Sequence, residues 1–268
     1  MRNLVKKEKK HDSVGEMLRF WRQINRQSQM DLALDINVSP RHLSFVETGK
    51  SNPSRDLVLK IAHSLKLPFR HRNAFLLAAG YAPEFEEQPF DGQKMEIVRS
   101  ALGRMLEKHE PYPAFVVNTS YKILMKNSGY EEIVRFYGGE DTLKKYDNAI
   151  RILFSEDGLR NYVKGWPAVE QFLLARLWEE AVSTQNAELI ELYKDISQLK
   201  GSSAPVDFQI DSNLPIMSLI LEKNSRKASF FTMITTLGTP LDLTTQELRI
   251  EFLFPSDEET KRMFHIES

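Results

Sequence analysis

Apolar residues in the first eighty positions recur every three or four residues, whereas strict alternation begins only after residue 114. Val14, Met17, Leu18, Trp21 and Ile24 form one stripe. They predict a helix over about 14–27 whose aromatic ring belongs to a core rather than to a cofactor site. Ser28 is a good N-cap for a second helix, Gln29 to about Ile36, with Met30, Leu32, Ala33 and Ile36 at its apolar positions. Asn37 and Val38 make a turn. Ser39 then caps a third helix, Pro40 takes its first position, and Gly49 follows its end. A fourth helix is expected from Ser54 to Leu65, with Asp56 in its first turn, and a fifth from Phe69 to Ala79, ended by Gly80. The first part of the chain is therefore an all-α unit of five helices.

The third helix has two unlike faces. Leu43 and Val46 point to a core, while Arg41, Ser44, Phe45 and Thr48 share the opposite side at i, i+3, i+4 and i+7. A bidentate donor, a hydroxyl and an aromatic ring on one exposed face suit a DNA major groove. Arg reads guanine, Ser either base type, and Phe packs on a thymine methyl. An ordinary helical hairpin is the alternative. Lys50, Ser51, Asn52 and Arg55 follow in the next loop and helix start, where their donors suit phosphate contacts, as do Gln29 and the Ser39 cap region. His42 reads equally as a phosphate or base contact and as a surface imidazole.

Past residue 80 the pattern changes. Pro83 to Gly92, PEFEEQPFDG, carries prolines, a glycine and acids and reads as a linker. A helix from about Lys94 to Lys108 follows, broken by Pro111 and Pro113. AFVVN (114–118) and YKILMK (121–126), separated by Thr119-Ser120, read as a β-hairpin in which Tyr121, Ile123 and Met125 alternate with Lys122, Leu124 and Lys126. A helical stretch runs from Ser128 to Leu199, GSSAP (201–205) is a loop, and three strands are expected at about 216–223, 228–237 and 247–254. Periodicity alone gives α+β.

Charge sharpens the division. Residues 1–80 hold 15 Lys+Arg against 7 Asp+Glu, net +8, and residues 81–268 hold 21 against 30, net −9. A basic head beside an acidic body suits a polyanion-binding module joined to a sensing module. The Lys6–Lys10 arm could track DNA or be an inert tail. With no cysteine, disulfides and thiolate metal sites are excluded, and a reducing compartment is compatible. No apolar run approaches a membrane span, and the basic N-terminus lacks the apolar core of a signal peptide, so a cytoplasmic protein without membrane contact is expected. No nucleophile elbow, HExxH, phosphate-binding glycine loop or paired-histidine spacing occurs, so neither an enzyme nor a metal site is expected.

Specific stretches carry a resemblance. Val14 to Thr48 resembles the Cro/repressor-like helix-turn-helix of the XRE family. VSPRHLSFVETGKSNPSR followed by LLAAGYAP is similar to the MmyB-like transcriptional regulators. HEPYPAFVVN, ILFSEDGLR, FLLARLWEEA and TLGTPLDLTTQELRIEFLFPSDEET are similar to that family's C-terminal ligand-binding domain, so the likeness covers roughly 14–264. Composition and likeness together give a flexible arm at 1–12, a helix-turn-helix domain at 13–82, a linker at 83–93, and a PAS-like domain at 94–268, for which the resemblance implies a five-stranded antiparallel sheet and inserted helices. It also implies that Arg22 pairs with Glu47 to fix the recognition helix; two solvated charges are the alternative.

The same resemblance implies a fatty-acid-like ligand and no other cofactor. PAS-like sheets form one wall of an apolar cavity, with candidate wall residues Phe115, Val117, Tyr121, Ile123, Phe172, Phe231, Met233 and Thr235, each of which also suits plain core packing. Arg176 shares a helix face with Val169, Phe172 and Leu173, so its guanidinium needs a carboxylate. That carboxylate is either Glu180, one turn on, or a ligand head group. A homodimer on a two-fold operator is expected, because one head offers few base contacts. A protein-interaction adaptor using both domains as docking surfaces is the other reading.

Overall fold

The computed structural model describes residues 13–199 and 218–265. The basic arm at 1–12 and the 201–205 loop lie outside these residues. The chain forms two compact units, one comprising residues to Glu87 with Leu241–Leu243, the other Gln88–Pro240 with Thr244 onward.

The first unit contains α1 (Val14–Ile24), α2 (Gln29–Asp35), α3 (Pro40–Glu47), α4 (Arg55–Ser64) and α5 (Phe69–Ala78). Serine caps four of them: the hydroxyls of Ser13, Ser28, Ser39 and Ser54 accept from the backbone N–H three residues on. At Ser28 the cap is reciprocal, because the Asp31 carboxylate accepts from the Ser28 N–H; those bonds hold its carboxyl below the usual range. The α2–α3 turn passes through Asn37 at φ 55, a left-handed conformation that asparagine tolerates. Leu18, Leu32, Leu43, Val46, Ile61 and Phe75 are fully enclosed. α1 ends at Ile24, three residues before the expected end, where Arg26 turns left-handed at φ 54.

The expected linker at 83–93 is partly ordered onto this unit. Asn73 Oδ1 accepts from the N–H groups of Glu84 and Phe85, and its amide donates to the Phe85 carbonyl at 2.6 Å. Phe85 stacks on Phe69 at 3.8 Å. Acidic composition alone reads as a solvated spacer. Here a buried asparagine and a ring pair offset the entropy of ordering residues 84–85.

In the second unit a 3-10 turn at Gln93–Met95 leads into α6 (Glu96–Lys108). Next come β1 (Ala114–Val117), β2 (Ile123–Lys126), α7 (Ser128–Gly138), α8 (Glu140–Lys145), α9 (Ala149–Phe154), α10 (Trp166–Thr184) and α11 (Ala187–Gln198). The chain ends with β3 (Leu219–Lys223), β4 (Arg226–Thr235), α12 (Leu243–Glu247), β5 (Arg249–Pro255) and α13 (Glu258–His265). The sheet is five-stranded and antiparallel, in the order β2-β1-β5-β4-β3. The second strand starts at Ile123, two residues later than the alternation predicts. Tyr121 instead sits in the turn at φ 63, where Asn118 Oδ1 accepts from Ser120 and Lys122 N–H. β4 starts two residues early because Asn224 and Ser225, both at positive φ, make a tight two-residue hairpin.

Alternation along β1 and β5 separates two cores. Ala114, Val116 and Ile250 pack with Leu102 and Leu106 of α6, on one side of the sheet. Phe115, Val117 and Leu253 face the other side, towards α7, α9 and α10. Asn127 ties the two ends of the β1–β2 region together: its carbonyl oxygen accepts from Ala114 and Tyr130 N–H, and its amide donates to the Leu106 and Tyr112 carbonyls.

Candidate nucleic-acid interface and ligand cavity

On α3, Leu43 and Val46 are buried and Arg41, His42 and Thr48 are exposed, with Ser44 and Phe45 half-buried. Thus Arg41, Ser44, Phe45 and Thr48 lie on the side away from the core. The Thr48 hydroxyl donates to the Ser44 carbonyl at 2.8 Å, so its free capacity is as an acceptor. The Phe45 ring is flanked by two cations, the Arg41 guanidinium at 5.4 Å and the Lys50 ammonium at 5.9 Å from its centroid. Ser39 caps the helix through His42 N–H. Asn52 is exposed, and Arg55 is held at 2.7 Å by Glu84.

Glu47 anchors this face from inside. Its side chain is 1% exposed and accepts from Arg22 Nε at 2.6 Å and from Gln29 Nε2 at 2.5 Å, with Arg19 3.8 Å away. Arg22 also donates to the Gln27 carbonyl. Gln29, expected at a phosphate, is therefore turned towards α3 by its amide. α1 and α3 approach closely enough that a Cβ on Gly15 would lie 2.5 Å from the Glu47 carbonyl oxygen.

The second unit contains a cavity of about 310 Å³ between the sheet and α7, α9 and α10. Phe115, Tyr121, Phe172, Arg176 and Phe231 line it, as expected. Val117, Ile123, Met233 and Thr235 do not. Val117 is fully enclosed in the adjoining core, Ile123 packs against that core, and Met233 is 55% exposed near the far end of β4. Met233 and Thr235 lie on the opposite face of the sheet, paired with Phe252 and Ile250 of the α6-side core. Ile133, Ile152, Leu153, Leu219 and Leu221 complete much of the apolar wall.

Five polar residues, Tyr121, Tyr130, Arg176, Thr232 and Glu251, share this wall. Arg176 has no hydrogen bond or ion pair among the described residues, and the expected Arg176–Glu180 contact is not formed. Glu180 is instead ion-paired with Arg249 and accepts from the Tyr121 hydroxyl at 2.9 Å. Glu251 reaches the cavity from β5, where it is paired with Phe115 across the sheet, and Tyr130 packs on Phe115 at 4.7 Å between ring centroids. Burial pushes the Glu251 carboxyl up, against the opposing pull of Arg176 and Arg249. Burial likewise pushes the Tyr130 and Tyr121 hydroxyls up, reinforced by Glu251 and Glu180 respectively. Neither Glu251 nor Tyr130 is among the residues singled out from sequence. In RIEFLF a lone acid reads as the solvent side of a strand, and its shared parity with Leu253 was the available signal. Among the described residues no three His, Asp or Glu side chains converge to hold a metal ion.

Similarity to known proteins follows the same division. The helix-turn-helix family model matches residues 22–71. The model described as the MmyB-like transcription regulator ligand binding domain matches residues 98–265. No curated protein matches this chain. Among solved structures, the clp gene regulator ClgR from Corynebacterium glutamicum is 24% identical, with 37% of this chain and 93% of that chain covered and a TM-score of 0.23. An RNA-binding light-oxygen-voltage receptor is 10% identical, with 95% of this chain and 62% of that chain covered and a TM-score of 0.29. Both superpositions are too loose to bear on function. No helix among the described residues is long and apolar enough to cross a membrane. With a helix-turn-helix in its first unit and the family's ligand-binding domain spanning nearly all of its second, the chain belongs to the MmyB-like transcription regulators.

Proposed function

We propose that this regulator binds a two-fold operator as a homodimer through the 39–55 segment, which Gln29 braces through Glu47, in the cytoplasm and without a catalytic role. Arg41, Ser44 and Phe45 read base edges, and Lys50 and Asn52 hold phosphates. Its second unit senses an apolar acid of the fatty-acid type. The observation that carries this reading is the cavity: its wall is mostly apolar, yet Arg176 reaches it without a protein carboxylate as partner. A guanidinium in such a place is stabilised by a ligand head group. The ligand shifts DNA binding only to the extent that it prefers one arrangement of the regulator over the other.

Two measurements test the reading. Selection of bound sequences from a random duplex pool by the full-length protein is expected to return an inverted repeat; folded protein that returns nothing, with and without added fatty acids, contradicts it. Mass spectrometry of purified protein is expected to find an acyl acid, and added fatty acids to raise the melting temperature. Neither effect occurring sinks the ligand assignment.

A further inference from the structure

Arg176, Tyr130 and Glu251 line one cavity, and none has a hydrogen-bonding side-chain partner among the described residues. Tyr130 is 6% exposed and Glu251 projects from the middle of the sheet, in register with Phe115 and Ile234. Arg176 and Glu251 are half-buried and Tyr130 is buried, and three such groups around one mostly apolar void suit the polar head group of a ligand. The guanidinium only donates, the phenol can donate, and a carboxyl donates when it keeps its proton. The Arg176 guanidinium is the permanent charge of the set and only donates, so the set suits an acid head group.

We propose that these three residues are the head-group site of the cavity, and that it takes an unesterified carboxylic acid with one proton held between the ligand's carboxyl and that of Glu251. The inference rests on the apolar-acid reading above and names its recognition chemistry. Two carboxyls facing one guanidinium cannot both ionise without an uncompensated negative charge, so they titrate as a pair. The groups acting on Glu251 are Arg176 and Glu180 from α10, Arg249 from its own strand and Tyr130 from α7. Glu180 is occupied by Arg249 and Tyr121, which leaves Arg176 as the cation for the incoming acid. Burial already favours the protonated form of Glu251. A carboxylate arriving beside it strengthens that preference, so binding draws a proton from solvent wherever Glu251 is ionised in the empty cavity.

The test uses the full-length protein, the saturated acids from octanoate to hexadecanoate, and the matching alcohols, kept below micelle-forming concentration. Calorimetry in buffers of different ionisation enthalpy reads proton uptake directly. The expected result is uptake of up to one proton per acid bound, with affinity falling by up to about tenfold per pH unit above the Glu251 titration. The best acid is expected to bind at least about tenfold more tightly than its alcohol, and Arg176→Gln to remove that preference. Glu251→Gln keeps shape and a donor but cannot titrate, so it is expected to lose both the proton uptake and the pH slope. Acid binding without proton linkage, a slope that survives in Glu251→Gln, or alcohols bound as tightly as acids overturns the head-group site while leaving an apolar ligand in place. Binding of neither acids nor alcohols overturns the apolar-acid reading and this site with it.

Discussion

Arg22 Nε lies 2.6 Å from Glu47 Oε1, joining α1 to the end of α3 through a carboxylate that is 1% exposed. Gln29 from α2 reaches the second oxygen of the same group. Three helices are thus pinned at one buried acid, and the exposed side of α3 inherits its orientation from that point.

Glu47→Ala is expected to destabilise the first unit by about 2–3 kcal/mol. The loss is smaller than for a fully buried pair, because Arg22 keeps the Gln27 carbonyl and is 15% exposed. Denaturant unfolding followed through Trp21 fluorescence reads the effect. Asp56→Ala, which removes an exposed i,i+4 pair with Lys60 and the first-turn acid of α4, is the control and is expected to change stability by no more than about 1 kcal/mol.

Substitutions on the recognition face should separate specificity from affinity. Arg41→Ala is expected to cost about 1–3 kcal/mol on the selected operator and to relax discrimination at one base pair. Lys50→Ala should weaken binding to cognate and random duplexes alike and lower the salt dependence. Competition binding at several salt concentrations distinguishes them, and equal effects of both substitutions on both DNAs contradict the assignment.

Asn127→Ala is expected to cost the second unit about 3 kcal/mol. It strands the N–H groups of Ala114 and Tyr130 and the carbonyl of Tyr112, while the Leu106 carbonyl keeps the His109 N–H. Because Tyr130 lines the cavity, a thermal-shift assay on this variant should also show a weaker response to added fatty acids.

Glu251 predicts a pH effect on stability whose sign follows from its raised proton affinity. The folded state binds this proton more tightly than the unfolded chain does. Its stabilising contribution is complete below the ordinary carboxyl value of 4.5 and is lost as pH rises through the higher folded-state value. Glu251→Gln stays neutral throughout, so without ligand it is expected to melt higher than the parent protein near pH 8, with the difference shrinking on acidification. Melting curves across that range check it; a variant that melts lower at every pH contradicts the assigned state.

Much of the first unit was legible because its signals are local. Ser28, Ser39 and Ser54 cap the backbone N–H groups that follow them, Pro40 opens α3 and Gly80 follows α5, and each effect operates within a few residues. The same holds for the recognition face, since a 3.6-residue period fixes which side Arg41, Ser44 and Phe45 share. Five strands were also expected close to where they lie, though alternation marked only the Tyr121–Lys126 stretch. Their order across the sheet was not, because β1–β5 pairing joins residues more than 130 positions apart. Tertiary structure alone decided the polar part of the cavity. Arg176 and Glu180 are one helical turn apart, and local spacing favours their pairing, but Arg249 and Tyr121 arrive from distant segments and take Glu180 instead. That exchange frees the Arg176 guanidinium, while sheet register brings Glu251 opposite Phe115. Helical and strand periods determine the face a residue occupies; which partner meets it there depends on packing between segments far apart in the chain.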